Sequence, residues 1–223
     1  PQGEMISTEY LPKVIVFDFD GVIVESNRIK TEAFEHVFSR FPDHYDAMMA
    51  FHYENISATR FVKFDHLLKR LQKTNDAAFR SELGSQFSAF VEEAIKNVAL
   101  VDGALGLLDW LADRCTVYLA SVTPDEELKR ILKHRNLINR FKAVFGCPPW
   151  TKVQVIQHIQ KNEGVSTDEI MLIGDSAGDQ RAAAETGIRF FARDSGLSFD
   201  EPLPQMFPDL ISIQAYLEKC QAN

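Results

Sequence analysis

Apolar and polar positions follow two periodicities along the chain, and the change of period divides it. Val14 to Phe17 is an uncharged run of β-branched and aromatic residues, which predicts a strand buried on both faces, hence parallel and central in its sheet. The pattern then turns helical. Ile29, Ala33, Phe34, Val37, Phe38 and Phe41 recur at three- and four-residue spacing up to Phe41-Pro42, predicting an amphipathic helix that proline stops. A second helix is expected over about 45–53. Ser57 is a candidate N-cap for a third, with the stripe Phe61, Phe64, Leu67, Leu68 and Leu71. A fourth starts near Asp76 and carries Phe79, Leu83, Phe87, Phe90, Val91 and Ile95. No strand signal interrupts this stretch, so residues 28–98 read as an all-helical block whose phenylalanines pack against each other as a small bundle.

From Val101 the texture alternates. Helices are expected over 105–112, 125–135, 152–161 and 178–186, and strands over 115–120, 143–146, 170–173 and 188–192. Residues 193–208, rich in Pro, Ser and Asp, read as a loop before a terminal helix over 210–219. Strands alternating with helices predict an α/β fold with a doubly wound parallel sheet. The first strand precedes the helical block and its companions follow it. Residues 1–27 and 99–223 are therefore expected to form the α/β core, with 28–98 as an inserted all-helical domain.

Composition narrows the function classes. The 223 residues suffice to bury a sizeable core. The formal charge of −8 and the lack of a basic stripe make nucleic acid a poor partner, and an anionic substrate would need a locally positive site. Cys115, Cys147 and Cys220 are odd in number and far apart, which suggests neither a disulfide framework nor a zinc site. Pro1 to Tyr10 is polar with no apolar signal segment, and no run is long enough to span a bilayer. The expectation is a cytoplasmic protein with no membrane association.

The candidate chemistry sits at strand ends. Asp18 and Asp20 close the first strand two residues apart, so they project to the same side, and Gly21 lets the backbone turn directly after them. Two like charges so close repel unless something neutralises them. In an open parallel sheet ligands bind beyond the carboxyl ends of the strands. Ser121 follows the second strand, Lys152 lies beyond the loop after the third, and Asp175 and Asp179 follow the fourth. Several carboxylate oxygens suit Mg²⁺, a hard ion that commonly bridges to phosphate. A hydroxyl, an ammonium and turn amides are the donors a phosphate needs.

The segments Phe17-Asp18-Phe19-Asp20-Gly21-Val22, Leu119-Ala120-Ser121, Lys152 and Ile173-Gly174-Asp175-Ser176-Ala177-Gly178-Asp179 resemble, in order, the four motifs of the haloacid dehalogenase superfamily. A helical insert directly after the first motif is similar to the cap of the subclass that includes phosphoglycolate phosphatase, β-phosphoglucomutase and phosphonoacetaldehyde hydrolase. The resemblance implies an Mg²⁺-dependent phosphatase acting on a small phosphorylated metabolite, as a monomer or homodimer. It implies Asp18 as the nucleophile that takes the phosphoryl group, and Asp20 as acid and then base. The implied Mg²⁺ ligands are Asp18, the Asp20 carbonyl and Asp175, with Asp179 as ligand or next to one. Ser121 and Lys152 would hold the phosphate oxygens.

Two departures stand out. Val122 follows Ser121, where many relatives carry a polar residue, and Lys152 follows a Cys147-Pro148-Pro149-Trp150 loop and lacks a following proline. Lys142 is the rival lysine, but it enters its strand from the wrong end of the sheet. In the insert, Asn55, Ser57, Arg60 and Lys63 cluster at a helix start beside His52, amid phenylalanines. Arg60, or Lys63 one turn away, is the candidate to pair with a second anionic or hydroxyl-rich group of the substrate. Alternatives are a mutase, separable by stoichiometric phosphate release, a phosphonoacetaldehyde hydrolase-like enzyme with Lys63 as Schiff base, and a non-catalytic phosphate-binding regulator. Intact Asp18 and Asp20 argue against the last.

Overall fold

The computed structural model describes residues 10–221. The polar segment before Tyr10, and with it the first part of the expected core, lies outside the described residues. β1 (Val14–Phe17) is followed by four helices, α1 (Asn27–Phe38), α2 (Tyr45–Glu54), α3 (Arg60–Arg70) and α4 (Ala77–Ala94). Then come α5 (Ala104–Leu111), β2 (Thr116–Ser121), α6 (Asp125–His134), β3 (Ala143–Gly146) and α7 (Lys152–Glu163). β4 (Ile170–Gly174), α8 (Ala177–Thr186), β5 (Arg189–Arg193), β6 (Met206–Phe207) and α9 (Leu210–Gln221) complete the order.

The sheet runs β3-β2-β1-β4-β5-β6 and every pairing is parallel. β1 is central, with Phe17 opposite Leu119 on one side and Ile173 on the other. Its alternation splits the core. Ile15 and Phe17 pack with Leu107 of α5, Leu128 of α6 and Ile213 of α9, whereas Val14 and Val16 pack with Ile156 of α7 and Ala183 of α8. Helices therefore cover both faces, as expected of an uncharged strand buried on both sides. None of the described helices is long and apolar enough to cross a membrane.

Helices α1–α4 pack around Phe34, Phe38, Phe64 and Phe87, with Phe34 and Phe87 ring centroids 4.4 Å apart. Each such phenylalanine contributes roughly 2–3 kcal/mol by leaving water. Two local expectations are corrected. Ser57 does not cap α3: Thr59 does, accepting from the Val62 amide at 3.4 Å, while Ser57 Oγ accepts from the Gly178 amide at 3.1 Å. The span 193–208 is not all loop, because Met206 and Phe207 pair with Ala192 and Arg193 as the edge strand β6.

Candidate active site

Asp18 and Asp20 leave the end of β1, and Gly21 turns the chain with φ +76°. A Cβ on Gly21 would lie 2.0 Å from Asp175 Oδ2 and 2.5 Å from Asn27 Nδ2, so the turn needs glycine for space as well as for its backbone angle. The β4–α8 turn is held by reciprocal caps. Ser176 Oγ accepts from the Asp179 amide at 3.3 Å, and Asp179 Oδ2 accepts from the Asp175 and Ser176 amides at 3.1 and 3.3 Å. The other Asp179 oxygen pairs with the Lys152 ammonium, which also sits 3.0 Å from Asp18 Oδ1.

The two aspartates that follow β1 thus enter different surroundings. Asp18, Asp175 and Asp179 each offer an oxygen within 4.8 Å of the others, a donor set of buried carboxylates that fits a hard divalent cation. The Asp20 side chain is outside that cluster: it accepts from Ser26 Oγ at 2.5 Å and faces Lys30 Nζ at 3.6 Å. Burial, then the charges of Asp179, Asp175 and Asp20, push the Asp18 carboxyl well above the usual range against the pull of Lys152. Burial and Asp179 push Asp175 up to about 6, although Asn27 and Ser195 each donate to it at 2.7 Å. Burial opposes the Lys152 charge, but Asp179 and Asp18 outweigh it and raise its pKa.

These groups open on a cavity of about 620 Å³. Asp18, Asp20 and Lys152 wall it from the sheet, and Phe34, His52 and Lys63 wall it from the helices between β1 and β2. The remaining candidates divide. Ser121 is buried at the end of β2 and its Oγ accepts from the Thr123 amide, leaving the hydroxyl proton to donate; its neighbour Val122 lines the cavity. Asn55 does not line it, because its side chain donates to the Phe51 carbonyl at the end of α2. Arg60 lines it but is already paired: the guanidinium donates to both Glu127 oxygens at 2.9 and 2.6 Å and lies 4.3 Å over the Phe87 ring. Its charge is spent on α6 rather than turned toward a ligand, which corrects the sequence expectation. Lys142 pairs at the surface with Glu163. Trp150 packs edge-on against Phe145 at 5.1 Å.

Sequence reasoning passed over Asn27, Lys30, Glu127 and Ser195. Asn27 and Lys30 had a usable signal, as polar residues one helical turn apart just after the Asp-x-Asp-Gly turn. Glu127 and Ser195 had none, being distant in sequence from everything they touch.

The sequence pattern described as haloacid dehalogenase-like hydrolase matches residues 15–193. A phosphoglycolate phosphatase 1 of Pseudomonas aeruginosa is 23% identical over 90% of this chain and 76% of its own length. A predicted phosphatase from Clostridium acetobutylicum superimposes with a TM-score of 0.74 at 18% identity, covering 94% of this chain and 99% of the other. The HAD hydrolase YfnB of Bacillus subtilis, in a magnesium-bound structure, gives 0.68 at 18% identity over 93% and 99%. With the family pattern spanning the sheet from β1 to β5 and the whole helical insert, the chain belongs to the haloacid dehalogenase-like hydrolases.

Proposed function

We propose that the protein is an Mg²⁺-dependent phosphatase of a small phosphate monoester, a sugar phosphate or a phosphoglycolate-like acid, with residues 28–98 acting as a cap over the site. One observation carries this reading: two carboxylates two residues apart on one strand end face one cavity from different environments. Asp18 lies against Lys152 within an oxygen cluster, and Asp20 lies against Ser26 and Lys30. Environments that differ in this way separate a nucleophile from a proton-transfer group. The Pseudomonas relative carries the phosphoglycolate name, which supports the substrate class.

In the proposed cycle an Asp18 oxygen attacks phosphorus and the bond to the leaving oxygen breaks, giving an aspartyl phosphate. Asp20 delivers its proton to that oxygen. It then takes a proton from the attacking water, which displaces Asp18 and releases phosphate. Lys152 neutralises Asp18 and the phosphate oxygens, Ser121 donates to them, and Lys30 holds the Asp20 carboxylate in place. Asp18, Asp175 and the Asp20 carbonyl would hold Mg²⁺, with Asp179 steering Lys152 beside them. The ion would offset the charge of the transferred group. Closure by the cap would keep bulk water off the acyl phosphate.

Asp20→Asn should lose far more activity on an alkyl phosphate than on p-nitrophenyl phosphate, by about tenfold or more, because only the poor leaving group needs the proton. Equal losses would remove Asp20 as the acid. A phosphate-ester screen that reads free phosphate tests the class of reaction itself; phosphate release well below one per ester consumed would favour transfer between positions.

The metal predicts a second result. In EDTA, Asp175 holds its proton up to about 6 when folded but only to its ordinary 3.8 when unfolded. The folded state then binds more protons in that window, so this carboxyl's contribution to stability falls as pH rises through it. Mg²⁺ should raise the melting temperature and flatten that slope, and Asp175→Ala should raise the Mg²⁺ needed for half-maximal rate. Identical melts with Mg²⁺ and EDTA would contradict a preformed site.

A further inference from the structure

The cavity wall formed by α1–α4 carries four cations, Arg28, Lys30, Arg60 and Lys63, and among the described residues three of them have an anion, the exposed Arg28 being paired with Glu32 one turn along α1. Lys30 of α1 faces Asp20, and Arg60 of α3 is paired with Glu127 of α6. Lys63 of α3, only 1% exposed, has no carboxylate partner among the described residues. Its Nζ meets His52 Nδ1 of α2 at 2.9 Å and lies 4.4 Å over the Phe34 ring. His52 is itself 2% exposed, and its Nε2 meets Thr31 Oγ1 of α1 at 2.9 Å. An amine that donates to Nδ1 leaves the ring proton on Nε2, where it donates to Thr31. The imidazole is therefore neutral, as burial and Lys63 both require in lowering its pKa to about 3. A buried amine held by a neutral ring and an aromatic face is aimed and dry, but its charge is unanswered.

We propose that Lys63, braced by His52 and Thr31, is the recognition site for a second anionic group, a carboxylate or phosphate, on the organic part of the substrate, and that the arriving anion draws a proton from solvent onto the Lys63 amine. The proposal rests on the phosphatase reading and adds what lies beyond the transferred phosphate. Burial, with Lys30 next, lowers the free amine to about 7, so near neutral pH it is part neutral. An anion against Nζ restores the ammonium. The charged groups on the helices around it are matched: Arg28 by Glu32, Lys30 by Asp20 and Arg60 by Glu127, and His52 stays neutral across the physiological range. The site then rewards an anionic substrate and leaves an uncharged one facing an unpaired amine.

The test is calorimetric, with a non-hydrolysable pair: 3-phosphonopropionate, and 3-hydroxypropylphosphonate, which keeps the phosphonate and replaces the carboxylate by an alcohol. Titration in buffers of different ionisation enthalpy counts protons taken up. At about pH 8 the carboxylate ligand should take up roughly one proton more than the alcohol, and the excess should vanish toward pH 6, where the amine is already charged. Lys63→Met should abolish the excess. It should also lower kcat/KM for 2-phosphoglycolate by about ten- to a hundredfold more than for 2-hydroxyethyl phosphate. Lys63→Arg, permanently charged, should restore the preference without the proton uptake. Equal proton uptake by both ligands, or a Lys63→Met loss that does not distinguish the two esters, overturns the assignment. Borohydride inactivation dependent on a phosphonate aldehyde also overturns it, since Lys63 would then be a Schiff-base nucleophile. Failure of the wild-type protein to release phosphate from any ester, or to bind either phosphonate, overturns the phosphatase reading together with it. Phosphate release with no charge preference overturns this inference alone.

Discussion

Asp18→Asn should leave a folded protein whose turnover falls on the order of 10⁴-fold or more, the scale of losing a nucleophile. The amide has the size of the carboxylate but neither attacks phosphorus nor contributes charge to the oxygen cluster with Asp175 and Asp179. The fold should not suffer, because Lys152 keeps Asp179 as a partner and one member of a repelling cluster is removed. In EDTA, where burial and neighbouring carboxylates disfavour the Asp18 charge, the variant should melt at or above the wild-type temperature. Phosphate release and a melting curve on the same preparation decide the matter. Retention of more than ~1% of wild-type activity would be incompatible with Asp18 as the nucleophile.

Arg60→Ala should destabilise the fold by about 3–5 kcal/mol, because it strands a buried charge. Glu127 is 2% exposed and both its oxygens accept from Arg60, which ties α3 to α6. Truncation also removes the guanidinium from the Phe87 face and from Ser88. For a chain of this length the loss corresponds to a fall of roughly 6–20 °C in melting temperature. The double variant Arg60→Met, Glu127→Leu should recover most of it, since no charge is then left buried. Burial works against the Glu127 charge, but Arg60 outweighs it and holds the carboxyl below its usual 4.5. A folded pKa below the unfolded one gives stability that is complete above 4.5 and is lost as pH falls through the folded value. The deficit of Arg60→Ala should therefore shrink in acid. An Arg60→Ala protein that melts normally but loses kcat/KM for an anionic ester would return Arg60 to the substrate and refute the pairing.

The stretch 14–21 was readable because everything that defines it is local. A four-residue uncharged run rich in β-branched residues and closed by a glycine turn reads as a doubly buried strand, the side-chain period of two puts Asp18 and Asp20 on one side, and glycine permits the turn. β1 accordingly has the expected bounds, and so does β3. The convergence of Asp18, Lys152, Asp175 and Asp179 was readable for a topological reason: parallel strands deliver their carboxyl ends to one edge. Asp76 caps α4 as its side chain and position suggest, since capping is also a matter of three neighbouring residues.

What the sequence left open is pairing between residues far apart. Arg60 carries the same charge whether it faces a substrate or Glu127, 67 positions away, and no periodicity distinguishes the two. Ser57 looks like a helix cap but reaches across to the Gly178 amide, 121 positions on. β6 is two residues long and exists only because β5 offers it an edge. Lys63 is an ordinary basic residue on a helix until the phenylalanine bundle closes over it, and only then does the lack of an anion matter. Strand, turn and cap are set by short-range sterics and hydrogen bonding, which residue order encodes directly. The state and partner of a charge are set by desolvation and by which helix lies opposite, and those are properties of the packed chain.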